Sequence, residues 1–148
     1  MKSTDGFYIR DYQPIDYDKV ERFWDANGLG GKHRGDDASI IQETLDAGGY
    51  LLILCSDSAE IIGTSWLTTD KRRTYLHHFG IAEPYRGKGL SKLLLSASMK
   101  IAAKIGFQVK IEVHRNNKIA LNLYESAGFK PLGDYDVFII RDMTSLKD

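Results

Sequence analysis

A chain of 148 residues with 43% hydrophobic content has the material for one buried core and little room for a second. Twenty Lys and Arg side chains balance twenty Asp and Glu, so no net basic charge draws a nucleic acid or an anionic membrane to the molecule as a whole. No charged-then-apolar leader opens the chain and no apolar stretch reaches the roughly 20 residues that cross a bilayer, so a soluble cytoplasmic protein is expected.

The first segment, FYIRDY at 7–12, alternates in the manner of a strand. After Pro14, the segment IDYDKVERFWDANG sets Tyr17, Val20, Phe23 and Trp24 at helical spacing. Residues 27–37, NGLGGKHRGDD, carry four glycines and both charge signs, the composition of a mobile loop and a candidate rim for an acceptor. Asp36 or Asp37 then stands where it can cap the helix DASIIQETLDAGG. YLLILCS, DSAE and IIGTSWLTT read as strand, turn and strand, and DKRR is a polar turn into TYLHHFGI, which makes an antiparallel meander of three strands. Cys55, the single cysteine, sits in the first of these apolar runs and reads as a small buried hydrophobe.

From Gly89 onward, Leu90, Leu93, Leu94, Ala97, Ile101 and Ile105 follow the helical period, Lys92, Lys100 and Lys104 face outward, and Gly106 stops the run. FQVKIEV is expected to be a strand with Val109, Ile111 and Val113 on one face. Residues 117–127 form a helix stopped by Gly128, and YDVFIIRDM forms a last strand. No repeat, linker or low-complexity tract divides residues 1–148, so a single domain is expected.

The turn EPYRGKG, between a strand ending at Ile81 and that long helix, has the clearest chemistry. Backbone N–H groups in the first turn of a helix lack helical partners, and the helix dipole adds about half a positive charge there. Gly87 and Gly89 bring no side chains, so a phosphate can approach the amides, while Arg86, Lys88 and Lys92 add full charges. The bland alternative is a helix start whose glycines only shape the turn. Neither a G-x-G-x-x-G nor a Walker pattern is present, which sets aside dinucleotide and P-loop readings.

The stretch Arg86-Gly87-Lys88-Gly89-Leu90-Ser91 resembles the Q/R-x-x-G-x-G/A signature of the GNAT superfamily of acyl-CoA-dependent N-acyltransferases, with Ser91 at the usual Gly or Ala position. Downstream, IEVHRNNKIALNLYESAGF at 111–129 is similar to the family's N-x-x-A-x-x-L-Y-E-x-x-G-F. The resemblance implies an α/β (α+β) fold, with a central, mostly antiparallel mixed sheet of six to seven strands flanked by about four helices. It also implies acetyl-CoA as cosubstrate. Backbone groups of Phe79, Gly80 and Ile81 would hold the pantetheine and thioester, Gly87, Lys88, Gly89, Leu90, Ser91 and Lys92 the pyrophosphate, and Asn117 the pantetheine region.

Transfer from a thioester to an amine needs a proton acceptor, stabilisation of the carbonyl oxygen and a proton for the departing thiolate. By resemblance Glu112 stands at the position of a general base and Tyr124 at that of the acid. Their bland readings are a surface ion pair with Lys110 or His114 and a packed helix aromatic. A phenol of pKa about 10 is protonated when a thiol of about 8.5 leaves. His77 and His78 are rival bases, and strand alternation is expected to send them to opposite faces. That alternation, with no Cys cluster or H-x-x-x-H spacing, predicts no metal site. A backbone N–H near Gly80 or Ile81 would meet the oxyanion.

The expected activity is therefore direct N-acetylation of an amine in a ternary complex, the alternative being a non-catalytic acyl-CoA sensor. A nucleic-acid module built on Lys71, Arg72 and Arg73 is disfavoured, since no aromatics interleave those cations. Lys32, His33 and Arg34 favour an acidic acceptor and Asp25, Asp36 and Asp37 an amine-rich one, so a small-molecule or a peptide amine fits. The oligomeric state is open, a homodimer included.

Overall fold

The computed structural model describes residues 3–4, 6–30, 32–106 and 108–145; Gly31 of the glycine-rich loop and Phe107 of FQVKIEV lie outside the described residues. The third strand, β3 (Tyr50–Cys55), is apolar from Leu51 onward, and strand alternation divides those side chains between two faces. Leu51, Ile53 and Cys55 pack with Val20, Phe23, Trp24, Ile41 and Trp66. Leu52 and Leu54 pack with Ile9, Ile62, Ile81, Leu90 and Leu94. A strand apolar on both faces is covered on both: α1 (Tyr17–Ala26) and α2 (Ala38–Asp46) on the first, α3 (Leu90–Ile105) on the second.

One sheet orders β1 (Ser3–Thr4), β2 (Phe7–Asp11), β3, β4 (Ile61–Thr69), β5 (Thr74–Ile81) and β6 (Val109–Ile111) as in the chain. Neighbours are antiparallel except β5 and β6, which are parallel. The chain forms two compact units, residues 1–112 with the sheet and α1 to α3, and residues 113–148 with α4 (Lys118–Ser126). Among the described residues no helix is long and apolar enough to cross a membrane.

Local chemistry sets the junctions. Both carboxylate oxygens of Asp16 accept from Arg10, at 2.7 and 2.9 Å, and one also accepts the Gln13 N–H at 2.8 Å, tying β2 to the start of α1. The Arg10 hydrogen bonds hold the Asp16 carboxyl below its ordinary pKa. Of the two candidate caps for α2, Asp37 serves, accepting from the Ile40 N–H at 2.9 Å. In the DKRR turn one Asp70 oxygen accepts from the N–H groups of Arg72 and Arg73.

The β4–β5 ladder contains one irregularity. Thr64 faces Gly80 and Trp66 faces His77, so Ser65 alone opposes two residues, His78 and Phe79. His78 is the bulged residue, at φ +46°, in the left-handed region. Thr64 Oγ1 donates to the His78 carbonyl at 2.7 Å and accepts from Trp24 Nε1 at 2.9 Å, so the bulge is held from α1 through β4. Ser65 turns the other way, its hydroxyl 2.6 Å from that of Ser98 on α3.

Two expectations need correction. Residues 135–142 form no strand, and Met143–Ser145 is a short 3₁₀ turn. Apolar alternation there supplies the propensity, but a strand also needs a ladder partner, and none pairs with it among the described residues. β6 stops at Ile111, short of Glu112 and Val113, where its pairing with β5 at Thr74, Tyr75 and Leu76 ends although β5 itself runs on to Ile81.

Thr64→Val leaves the Trp24 indole N–H and the His78 carbonyl without their partner and is expected to cost about 2 kcal/mol of stability. Thr64→Ser keeps the hydroxyl and is expected to lose about 1 kcal/mol through the missing methyl. Urea denaturation of both variants checks this order; equal losses would remove the hydrogen-bond explanation.

Candidate active site

Parallel pairing between β5 and β6 ends at Leu76 and Ile111, so from His77 to Ile81 the β6-side edge of β5 has no strand beside it among the described residues. The Ala82 N–H reaches the Ile62 carbonyl at 2.8 Å, which directs the backbone groups of the preceding residue, Ile81, away from β4. There the Ile81 carbonyl accepts from Arg86 Nε at 2.9 Å. An extended ligand laid along this edge would meet backbone polar groups as a missing strand does.

The same strand feeds the helix start singled out in the sequence. A 3₁₀ turn, Glu83–Tyr85, leads to Gly87 at φ +81° and Gly89 at φ +80°, and α3 begins at Leu90. The Leu93 N–H makes the first helical bond, to the Gly89 carbonyl at 3.2 Å, so the amides of Leu90, Ser91 and Lys92 precede the ladder. Gly89 supplies no side-chain cap. Among the described residues nothing lies within 4 Å of the place a Cβ would take at either glycine, so the space beside both is open. Arg86, Lys88 and Lys92 are exposed around it.

Beside the bulge the titratable candidates gather. Alternation does not send His77 and His78 to opposite faces, because the extra residue turns the second ring back toward the α1 and α2 face. The Trp66 ring centroid is 6.0 Å from His77 and 5.3 Å from His78. Edge to face, His78 also meets Trp24 at 4.6 Å, and its Nε2 is 2.8 Å from Asp36 Oδ2. His77 Nε2 is 2.8 Å from Thr68 Oγ1. Protein crowding, chiefly, and the neighbouring His78 push the His77 pKa below its ordinary value, against the opposite pull of Asp36 and Glu112. Glu112 itself is exposed just beyond β6.

Leu29, Gly30 and Asp36 lie against this region. An added Cβ at Gly80 would meet Leu29 at 2.8 Å, and one at Gly30 would meet His78 Nε2 at 2.8 Å and Asp36 Oδ2 at 3.1 Å. The sequence reading missed Asp36 as the His78 partner; the signal lay in two adjacent aspartates before a helix that needs one cap. A separate cleft of about 590 Å³ lies between α1, the β3–β4 turn and residues 82–85, and neither His78 nor the helix-start glycines line it. Among the described residues no cluster of three or more His, Cys, Asp or Glu side chains could share a metal ion.

In the second unit, Asn117 caps α4, its Oδ1 accepting from the Ala120 N–H at 3.1 Å. Tyr124 is buried, its ring edge toward Phe129 at 5.7 Å, and burial pushes its phenol up to about 12. Such a phenol stays protonated through neutral and mildly alkaline pH, as a hydrogen-bond donor must.

The profile of the Acetyltransferase (GNAT) family matches residues 17–129. Two Bacillus subtilis (strain 168) proteins, the uncharacterized N-acetyltransferases YycN and YdgE, are 31% identical over 86 residues and 29% identical over 85 residues. Those matches take in 55% and 54% of this chain and the same shares of the relatives, so the chain spans about half the length of the curated relatives it matches. Among solved structures, an acetyltransferase of GNAT type from Staphylococcus aureus Mu50 superimposes with a TM-score of 0.73 at 19% identity, over 88% of each chain. Glucosamine-6-phosphate N-acetyltransferase from Arabidopsis thaliana gives 0.71 at 16% identity, over 93% of this chain and 98% of that one. At these identities the structural likeness concerns the fold.

The depressed His77 pKa has a sign that can be tested. Unfolded His77 takes up its proton near pH 6.5 while the folded residue does so only at lower pH, so stability falls as pH drops below about 6.5 and is untouched above it. His77→Gln is expected to flatten that acid-side loss in denaturation midpoints between pH 7.5 and 5.5; an unchanged slope would contradict the assignment.

Proposed function

Because the chain belongs to the GNAT family of acetyltransferases, we propose that it binds acetyl-CoA and transfers the acetyl group directly to the amine of a small-molecule or peptide acceptor. One observation carries this reading: an unladdered strand edge at residues 77–81 runs straight into a helix start with three amides preceding its ladder and three exposed cations. Extended pantetheine suits the edge at Phe79, Gly80 and Ile81, and a diphosphate suits the amides and glycines of residues 87–92. Acetyl-CoA supplies the activated thioester; the chain's own groups hold it and manage the protons.

The acceptor amine attacks the thioester carbonyl, whose oxygen gains charge and takes a hydrogen bond from a strand-edge N–H such as that of Ile81. The amine's proton leaves toward the imidazoles and carboxylates beside the bulge, with Glu112 as acceptor or relay. As the carbon–sulfur bond breaks, the thiolate takes a proton from Tyr124, whose raised pKa keeps it protonated until then, and Tyr124 regains a proton from water. No covalent acyl-enzyme is needed, in keeping with a fully buried Cys55.

Calorimetry with coenzyme A is expected to show binding that weakens about tenfold or more in Arg86→Ala combined with Lys88→Ala. Thiol release across a panel of amines is expected to show turnover, with kcat about 100-fold lower in Tyr124→Phe and coenzyme A affinity unchanged. Binding without turnover on any amine would make the protein a carrier sensor, and no binding would remove the reading altogether.

A further inference from the structure

Within that transferase reading, we infer that His78 is the group that takes the proton from the acceptor amine, with Asp36 as its positioning residue. The alternatives for His78 are a packed core imidazole or a structural ion pair, and the geometry argues against each. A core imidazole has no need of the left-handed backbone that His78 adopts at φ +46°, a conformation that histidine visits at some cost. The residue is held there by an unbroken chain from Trp24 through Thr64 to its own carbonyl. A structural ion pair would be sealed from solvent or splayed on the surface. Here the two side chains are 18% and 19% exposed, with the His78 ring standing nearly perpendicular to the indoles of Trp24 and Trp66.

The pairing also selects the ring nitrogen. Asp36 Oδ2 lies 2.8 Å from Nε2, so that nitrogen donates its proton to the carboxylate and the lone pair of the neutral ring sits on Nδ1. A carboxylate fixing the tautomer of a histidine base is the arrangement by which an imidazole accepts a proton at its other nitrogen. Gly30 seals the pairing from the loop side, since any Cβ there would come within 2.8 Å of Nε2. Among the described residues, the charged and titratable groups around His78 include Asp36 from the segment before α2, His77 on its own strand, and beyond that Glu112, which acts on His77; α1 and β4 contribute the indoles of Trp24 and Trp66. The bulge sets this ring one residue from Phe79 and two from Gly80, at the head of the open edge.

The amine nitrogen forms a bond to the acetyl carbon while one of its N–H protons moves to His78 Nδ1. The carbon–sulfur bond breaks with its electron pair going to sulfur, which is protonated from Tyr124. The imidazolium then returns its proton to water, by way of Glu112 or directly, and the Tyr124 phenolate takes a proton back from water, which restores both groups.

The test uses the full chain, acetyl-CoA and the amine that gives the fastest thiol release. His78→Asn is the informative substitution, because asparagine tolerates the left-handed backbone and preserves the bulge. It is expected to lower kcat at least 100-fold and to erase the acidic limb of the kcat–pH profile, with coenzyme A affinity unchanged. Asp36→Asn leaves the bulged residue itself intact and is expected to lower kcat about tenfold with coenzyme A affinity unchanged; Asp36→Glu should recover part of that loss. Nitrogen-15 NMR of the wild type should report an Nε2-protonated His78, a tautomer that loosens in Asp36→Asn. Unchanged kcat and pH limb in His78→Asn, or an unchanged kcat and His78 tautomer in Asp36→Asn, would overturn the dyad while leaving the transferase intact. A chain that binds acetyl-CoA and acetylates no amine would overturn both.

Discussion

The hydroxyl of Thr64 is the joint on which the site depends. It takes the Trp24 indole proton and gives its own to the His78 carbonyl, so a buried aromatic of α1 and the bulged residue of β5 are fixed through one small side chain of β4. Without the bulge, β5 would present His77 and His78 to opposite faces. With it, both rings reach Trp66, while Gly80 returns to register opposite Thr64. A single inserted residue, costly on its own, thereby gathers chemical groups that a regular strand would disperse.

Two kinds of backbone exposure converge on this point. β6 runs beside β5 for three residue pairs and stops, which leaves the end of β5 with an edge of peptide groups. α3 then begins at Leu90, after Gly89 and without a side-chain cap, beside open space and exposed cations. Elsewhere the chain satisfies such groups with care, as at Asp16, Asp37 and Asp70. Leaving them at adjoining places suits a ligand that is extended at one end and doubly anionic at the other.

Much of this was legible in the residues. Leu90, Leu94 and their helical partners announced α3, the apolar runs announced the β3–β4–β5 meander, and the glycine spacing announced a helix start without a side-chain cap. The bulge was not legible, because YLHHFGI alternates as well in a regular ladder as in an irregular one, and the choice is made by Thr64 and Trp24, distant in sequence. Asp36 was hidden by the adequacy of Asp37 as a cap. The segment at 135–143 misled for the opposite reason: its alternation of apolar residues states a preference for strand, and pairing has to be supplied by another strand. Glu112 was read as a strand residue because pairing length, like bulging, depends on the neighbour.

The most direct measurement is an amide NMR titration of the chain with coenzyme A. The account predicts that the largest shifts fall on the N–H groups of Leu90, Ser91 and Lys92 and on those of Phe79 to Ile81, saturating together at one affinity. Shifts that leave the start of α3 untouched, or that gather instead around the cleft between α1 and residues 82–85, would contradict it.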